Sequence, residues 1–161
     1  MSELAQQLAD SLEAEGAKTL EFFEGLQAQD WGAQVYSDGP GWKVHDLLAH
    51  FTEVEGSMLR LIRRVSEGGQ GVEPGFNIDQ WNAEHTAELS DWEQARLLAE
   101  FAQRRAATVA FARRLDDASL ERSGRHPALG EAQVAQMLRL MYLHLQGHQR
   151  DIRRAIKAQQ A

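Results

Sequence analysis

The chain contains no cysteine. That excludes disulfides, zinc–thiolate sites and a cysteine nucleophile. Proline is scarce as well, with three among 161 residues, so long uninterrupted helices are open to the chain. No run approaches the roughly 18 consecutive apolar residues that a membrane-spanning helix needs. Positive charge is in deficit: 17 Lys and Arg against 24 Asp and Glu leave a net charge of −7, which repels phosphate backbones at long range. Basic clusters do occur at Arg60, Arg63 and Arg64, at Arg104 and Arg105, and at Arg150, Arg153 and Arg154. Each falls among acids on an expected helix and reads as a solvated face. The N-terminal MSELAQQLADSLEAEG has neither the basic region nor the apolar region of a signal peptide. A cytoplasmic protein with no nucleic-acid and no membrane partner is expected.

What the chain does contain is a hydrophobic fraction of 43%, enough to bury the core of one domain spanning residues 1–161. Apolar spacing predicts four long helices. The first runs from about Glu3 to Gln29 on Leu4, Leu8, Leu12, Leu20, Phe23 and Leu26. The second, about Lys43 to Glu67, carries the cleanest stripe, from Val44 through Phe51 and Met58 to Val65. A short helix is expected near Asp79 to Leu89. Ser90 to Glu93 fits a capping box opening the third long helix, which reaches about Leu115. The fourth spans about Glu131 to Ala158. Segments around Val35 and Val72 are too short and glycine-flanked to read as strands, and the glycine-rich stretch 68–75 reads as a flexible loop. An all-α four-helix bundle follows, with a second connection long enough to cross it.

The fourth helix carries HLQGH at residues 144–148. Histidines at i and i+4 are neighbours about 6 Å apart on one helix face, and here His148 continues the apolar stripe of Met141 and Leu145. His50, between Leu47 and Val54, faces the core of the second helix. Three inward imidazoles supply three nitrogen ligands and leave a position open, the arrangement of catalytic rather than structural zinc. Three separately hydrogen-bonded core histidines are an equal reading of the residues alone. Without a glutamate after His144, the motif is not the HExxH of metalloproteases. His45, His85 and His126 rank lower: a helix start and two loop neighbourhoods. Glu53, at i+3 from His50, reads first as a solvated acid and second as a ligand or base. Asp151, at i+3 from His148, reads as a surface charge or a group that orients a ligand. Trp31, Trp42, Trp81 and Trp92 lie near helix ends, where aromatics close a bundle or line a pocket.

Taken in order, W42-KVHDLLA-H50-F, FNIDQWNAEH, GRHPALG and H144-LQG-H148 resemble the DinB/YfiT-like superfamily over nearly the whole chain. The resemblance implies a four-helix bundle with a long second crossover. It also implies a divalent metal, zinc or nickel, held by His50, His144 and His148. Lys43 stands where members often have Ser or Thr, and Asp151 where a glutamine is common. The resemblance further implies thiol S-transferase or hydrolase chemistry, with a low-molecular-weight thiol and a small-molecule electrophile as partners. A chain without cysteine takes its thiol from outside. A non-catalytic metal- or small-molecule-binding stress-response protein is the alternative, and structural histidines a third reading. A homodimer is expected from the resemblance alone.

Overall fold

A computed structural model describes residues 2–161. Helix α1, Glu3–Glu24, begins at Ser2, whose hydroxyl accepts the Ala5 amide at 3.0 Å. It stops at Gly25, short of the expected Gln29. Asp30 takes the Gln27 amide at 2.8 Å and winds residues Ala28–Gly32 into a 3₁₀ turn instead. Helix α2, Val44–Ser66, starts where the Asp46 carboxylate accepts the Lys43 amide at 2.9 Å. The cap missing at Lys43 is thus supplied from the first turn. Helix α3, Ile78–Ala87, is capped by Asn77. Helix α4, Gln94–Arg113, opens without the expected capping box, because the Ser90 hydroxyl donates backwards to the Ala87 carbonyl at 2.9 Å. A one-turn helix, α5, follows at Asp117–Glu121. Helix α6, Val134–Gln160, closes the chain.

Two strands that apolar spacing did not predict precede α6. Strand β1, Ser123–His126, pairs antiparallel with β2, Gly130–Gln133. Each is four residues long and mostly polar, so no period-two stripe marks it. The glycine-rich stretch is docked rather than free. Gln70 accepts the Arg125 amide at 2.8 Å, and the Val72 amide donates to the Arg125 carbonyl at 2.9 Å. Gly71 has φ +94°, and a Cβ there would fall 2.2 Å from the Arg125 nitrogen. Only glycine fits that approach.

Helix α1 packs against α4 and α6, and α2 packs against the same two. Helices α1 and α2, consecutive long helices, therefore face each other across the bundle, unlike a simple up-down ring. The long second connection, residues 67–93, lays α3 along α2. The core divides into two apolar layers, one around Leu12, Ile62, Val109 and Met137, the other around Phe23, Phe51, Phe101 and Leu145.

Between those layers along α2 and α4 lie Glu55 and Arg105, 1% and 4% exposed. Arg105, expected on a solvated face, is buried. Its Nε donates to Glu55 Oε2 at 2.7 Å and its Nη2 to Oε1 at 2.8 Å. Its Nη1 donates to the Leu12 carbonyl at 3.0 Å, and Nη2 reaches the Met141 carbonyl at 3.5 Å. One guanidinium, carried by α4, thus reaches the other three long helices. Gly16 makes room for it: a Cβ there would lie 2.8 Å from Arg105 Cγ.

Candidate metal centre

His50, on α2, and His144 and His148, on α6, converge. One ring nitrogen from each lies within 4.8 Å of the others. The pattern that makes these helices amphipathic brings them together, because His50 and His148 each occupy a core-facing position. His50 is 1% exposed, and Trp42 covers its ring at a centroid distance of 4.7 Å. Burial pushes the His50 pKa well below its ordinary value, with the charges of His144 and His148 adding to the effect. Burial likewise lowers His144, to about 4, and lowers His148. All three rings are therefore neutral near pH 7, the form that ligates metals.

A chain of hydrogen bonds fixes the tautomer of His148. The Tyr36 hydroxyl donates to Asp151 Oδ2 at 2.6 Å, and its oxygen lies 2.7 Å from His148 Nδ1. With the phenolic proton committed to the carboxylate, Nδ1–H is the donor to Tyr36, which leaves a lone pair on Nε2. That Nε2 lies 2.9 Å from His144 Nε2. Two ring nitrogens so close need a proton or a cation between them. Burial and the neighbouring Asp151 both hold the Tyr36 hydroxyl above its usual pKa, so it remains a donor. His50 Nδ1 is buried with no hydrogen-bond partner among the described residues, a cost of about 1–3 kcal/mol that a partner would remove. Three neutral imidazoles, one with its tautomer fixed and one with an orphaned nitrogen, fit a divalent ion.

Tyr36 went unnoticed in the sequence because it lies in an irregular segment with no periodicity. Asp151, expected as a surface charge or an orienting group, acts on His148 through it. Tyr36→Phe is expected to cut affinity for zinc about 10–100-fold, the usual effect of removing a group that orients a ligand. Calorimetric titration of metal-free protein checks this; an affinity equal to wild type would rule out the positioning role.

The remaining candidates separate clearly. His45 ring Nε2 pairs with the Ser90 carbonyl at 3.0 Å, away from the cluster. His85 lies on α3, the short helix expected near Asp79 to Leu89, and stacks on Trp81 at 3.6 Å. Glu53 is not solvated: it is 7% exposed, and burial raises its pKa. Its Oε1 accepts the Trp81 indole N–H at 3.3 Å, so it faces α3, outside the histidine cluster. Trp92 carries the Arg96 guanidinium 3.5 Å above its ring.

His126 is buried at the end of β1, and its Nδ1 accepts the amides of Ala128 and Leu129 at 3.0 and 3.1 Å. Burial lowers its pKa to about 4. The unfolded chain takes up the proton first, near pH 6.5, so this histidine's stability contribution is complete above 6.5 and declines as pH falls towards 4. His126→Asn keeps an acceptor that does not titrate. Its unfolding free energy, from urea titrations between pH 7 and 5, is expected to fall less steeply than that of wild type. Parallel slopes would contradict this.

Two cavities meet at the histidines. A chamber of about 80 Å³ is walled by Val54, Met58, Ile78, Met137, Leu140 and Met141, with His50 and His144 at one side and His126 also in its wall. On the other side a mouth of about 530 Å³ is lined by Tyr36, Asp38, Trp42 and Asp79 as well as all three histidines. Asn82 borders both.

The sequence family described as the DinB superfamily matches residues 11–152. Among solved structures, the chain is similar to YfiT from Bacillus subtilis, described as a probable metal-dependent hydrolase with an unusual four-helix bundle topology. The TM-score is 0.77 at 17% identity, over 99% of this chain and 90% of that one. It is also similar to a mycothiol-dependent maleylpyruvate isomerase, with a TM-score of 0.67 at 16% identity, over 94% of this chain and 63% of the isomerase. At such identities the likeness establishes the fold. No curated protein matches the sequence. Among the described residues no helix is long and apolar enough to cross a membrane.

Proposed function

The chain belongs to the DinB superfamily, and we propose that it is a divalent-metal-dependent enzyme of thiol S-transferase or hydrolase type. The observation that carries this reading is the convergence of three neutral histidines where an apolar chamber meets a wide mouth. Zinc or nickel is the ion proposed, since imidazole suits both. Such an ion, when bound, supplies Lewis acidity and lowers the pKa of a thiol or water that reaches it.

The chain's own residues do the rest. His50, His144 and His148 are the proposed ligands, and Tyr36 with Asp151 holds His148 in its ligating tautomer. Trp42 shields His50. The methionine-lined chamber takes an apolar part of the substrate away from water, while the mouth admits its polar part. The thiol comes from solution, because the chain has no cysteine. A probable metal-dependent hydrolase and a mycothiol-dependent isomerase share the fold, which supports both branches of the chemistry. A cytoplasmic setting and a homodimer belong to the same proposal.

The test is a conjugation assay. Zinc- or nickel-loaded protein is mixed with an aryl chloride and each of several small thiols, and separately with an aryl ester. The expected result is a metal-dependent acceleration in one of these assays, abolished by chelation. Rates no better than thiol or buffer alone, across the whole series, would favour a non-catalytic binding protein.

A further inference from the structure

His126 has one ring nitrogen that the fold explains and one that it does not. Its Nδ1 accepts the Ala128 and Leu129 amides, so in the neutral ring the proton sits on Nε2. That Nε2–H has no hydrogen-bond partner among the described residues. Unlike the orphaned Nδ1 of His50, it is not closed off from space that a ligand can fill. The residue is 5% exposed, and the cavity it lines is the apolar chamber beside His50 and His144. It lies near enough to His144 for its charge to act on that ring. A single donor, held in direction by the turn between β1 and β2, therefore opens into walls made mostly of methionine and aliphatic side chains. Glu55, in the same wall, is already committed to Arg105. Burial keeps His126 uncharged near pH 7.

We infer that His126 is a substrate-binding residue, its Nε2–H donating to an acceptor oxygen, of the ketone or ester kind, on a compact apolar group lodged in the chamber. This deepens the proposed function, and rests on it for the ligand's being a substrate. A buried donor left without a partner is costly, and a ligand oxygen removes that cost where a hydrocarbon does not. The chamber of about 80 Å³ has room for about six water-sized groups, enough for the reacting end of a small molecule. Holding the turn accounts for Nδ1 alone; the direction and tautomer of Nε2 are what the ligand would use.

Cyclopentanone and methylenecyclopentane test this, because they match in shape and differ in the oxygen alone. Nitrogen-15 NMR of the imidazoles follows each titration, in zinc-loaded and in metal-free protein. In wild type the ketone is expected to shift the His126 Nε2 resonance and the alkene to leave it in place. Two variants separate the roles of the ring. His126→Asn keeps an acceptor for the turn amides and removes the chamber donor. His126→Gln carries an amide N–H out towards the place of Nε2 and gives up the turn acceptor. The ketone-to-alkene affinity ratio is expected to fall about fivefold in His126→Asn, the loss of one hydrogen bond, and to be largely kept in His126→Gln. Intrinsic differences between the probes cancel in that comparison. An unchanged ratio in His126→Asn, or a wild-type Nε2 resonance that the ketone does not move up to saturation, would leave His126 a turn-holding residue only. A ketone preference that survives although no zinc binds keeps this inference and sinks the metal reading. Zinc bound with the resonance unmoved does the reverse.

Discussion

Replacing Arg105 with alanine is expected to destabilise the fold by about 3–5 kcal/mol, a large share of the stability of a domain this size. The cost does not measure how favourable the ion pair is. It arises because the Glu55 carboxylate, 1% exposed, would remain buried without its bidentate partner, and the Leu12 carbonyl would lose its donor. Glu55→Ala should cost a similar amount by leaving the guanidinium unpaired. The double replacement Glu55→Met, Arg105→Leu removes both charges and should recover most of the loss, because buried pairs seldom beat well-packed apolar groups. Denaturant unfolding of the four proteins checks these expectations. Single variants within about 1 kcal/mol of wild type would show that water reaches the pair.

The second large effect concerns the histidines. His144→Ala should weaken zinc or nickel binding by more than the 10–100-fold expected for Tyr36→Phe, because it removes a proposed ligand rather than the group that aims one. Fold stability of the metal-free variant should change little. His144 is only part-buried, and the side-chain contact that alanine removes is the one to His148 Nε2. Thermal unfolding with and without metal separates the two effects. A variant that retains wild-type metal affinity while losing stability would mark His144 as a packing residue.

The metal candidates were legible in the sequence for a simple physical reason. Helical spacing tells which residues share a face, so the sequence places His148 and His50 on core-facing stripes and His144 at the edge of one. Tyr36 could not be found that way, since it reaches His148 from a segment between helices and across 112 positions of sequence. Glu53 and Arg105 were misplaced because charged residues are usually exposed. Nothing local marks an exception whose reason is distant: Trp81 for Glu53, Glu55 and the Leu12 carbonyl for Arg105. The hairpin β1–β2 was missed because strands of four polar residues carry no periodic signal. Its stability comes from Gly71 pressed against Arg125 and from His126 holding the turn.

The ring nitrogens of His144 and His148, 2.9 Å apart, and the orphaned nitrogen of His50 make one claim central: the three share a metal ion. Elemental analysis of protein purified without a histidine tag tests it most directly. The account predicts close to one zinc or nickel per chain, lost in both His144→Ala and His148→Ala. Sub-stoichiometric metal, unchanged by either replacement, would contradict it.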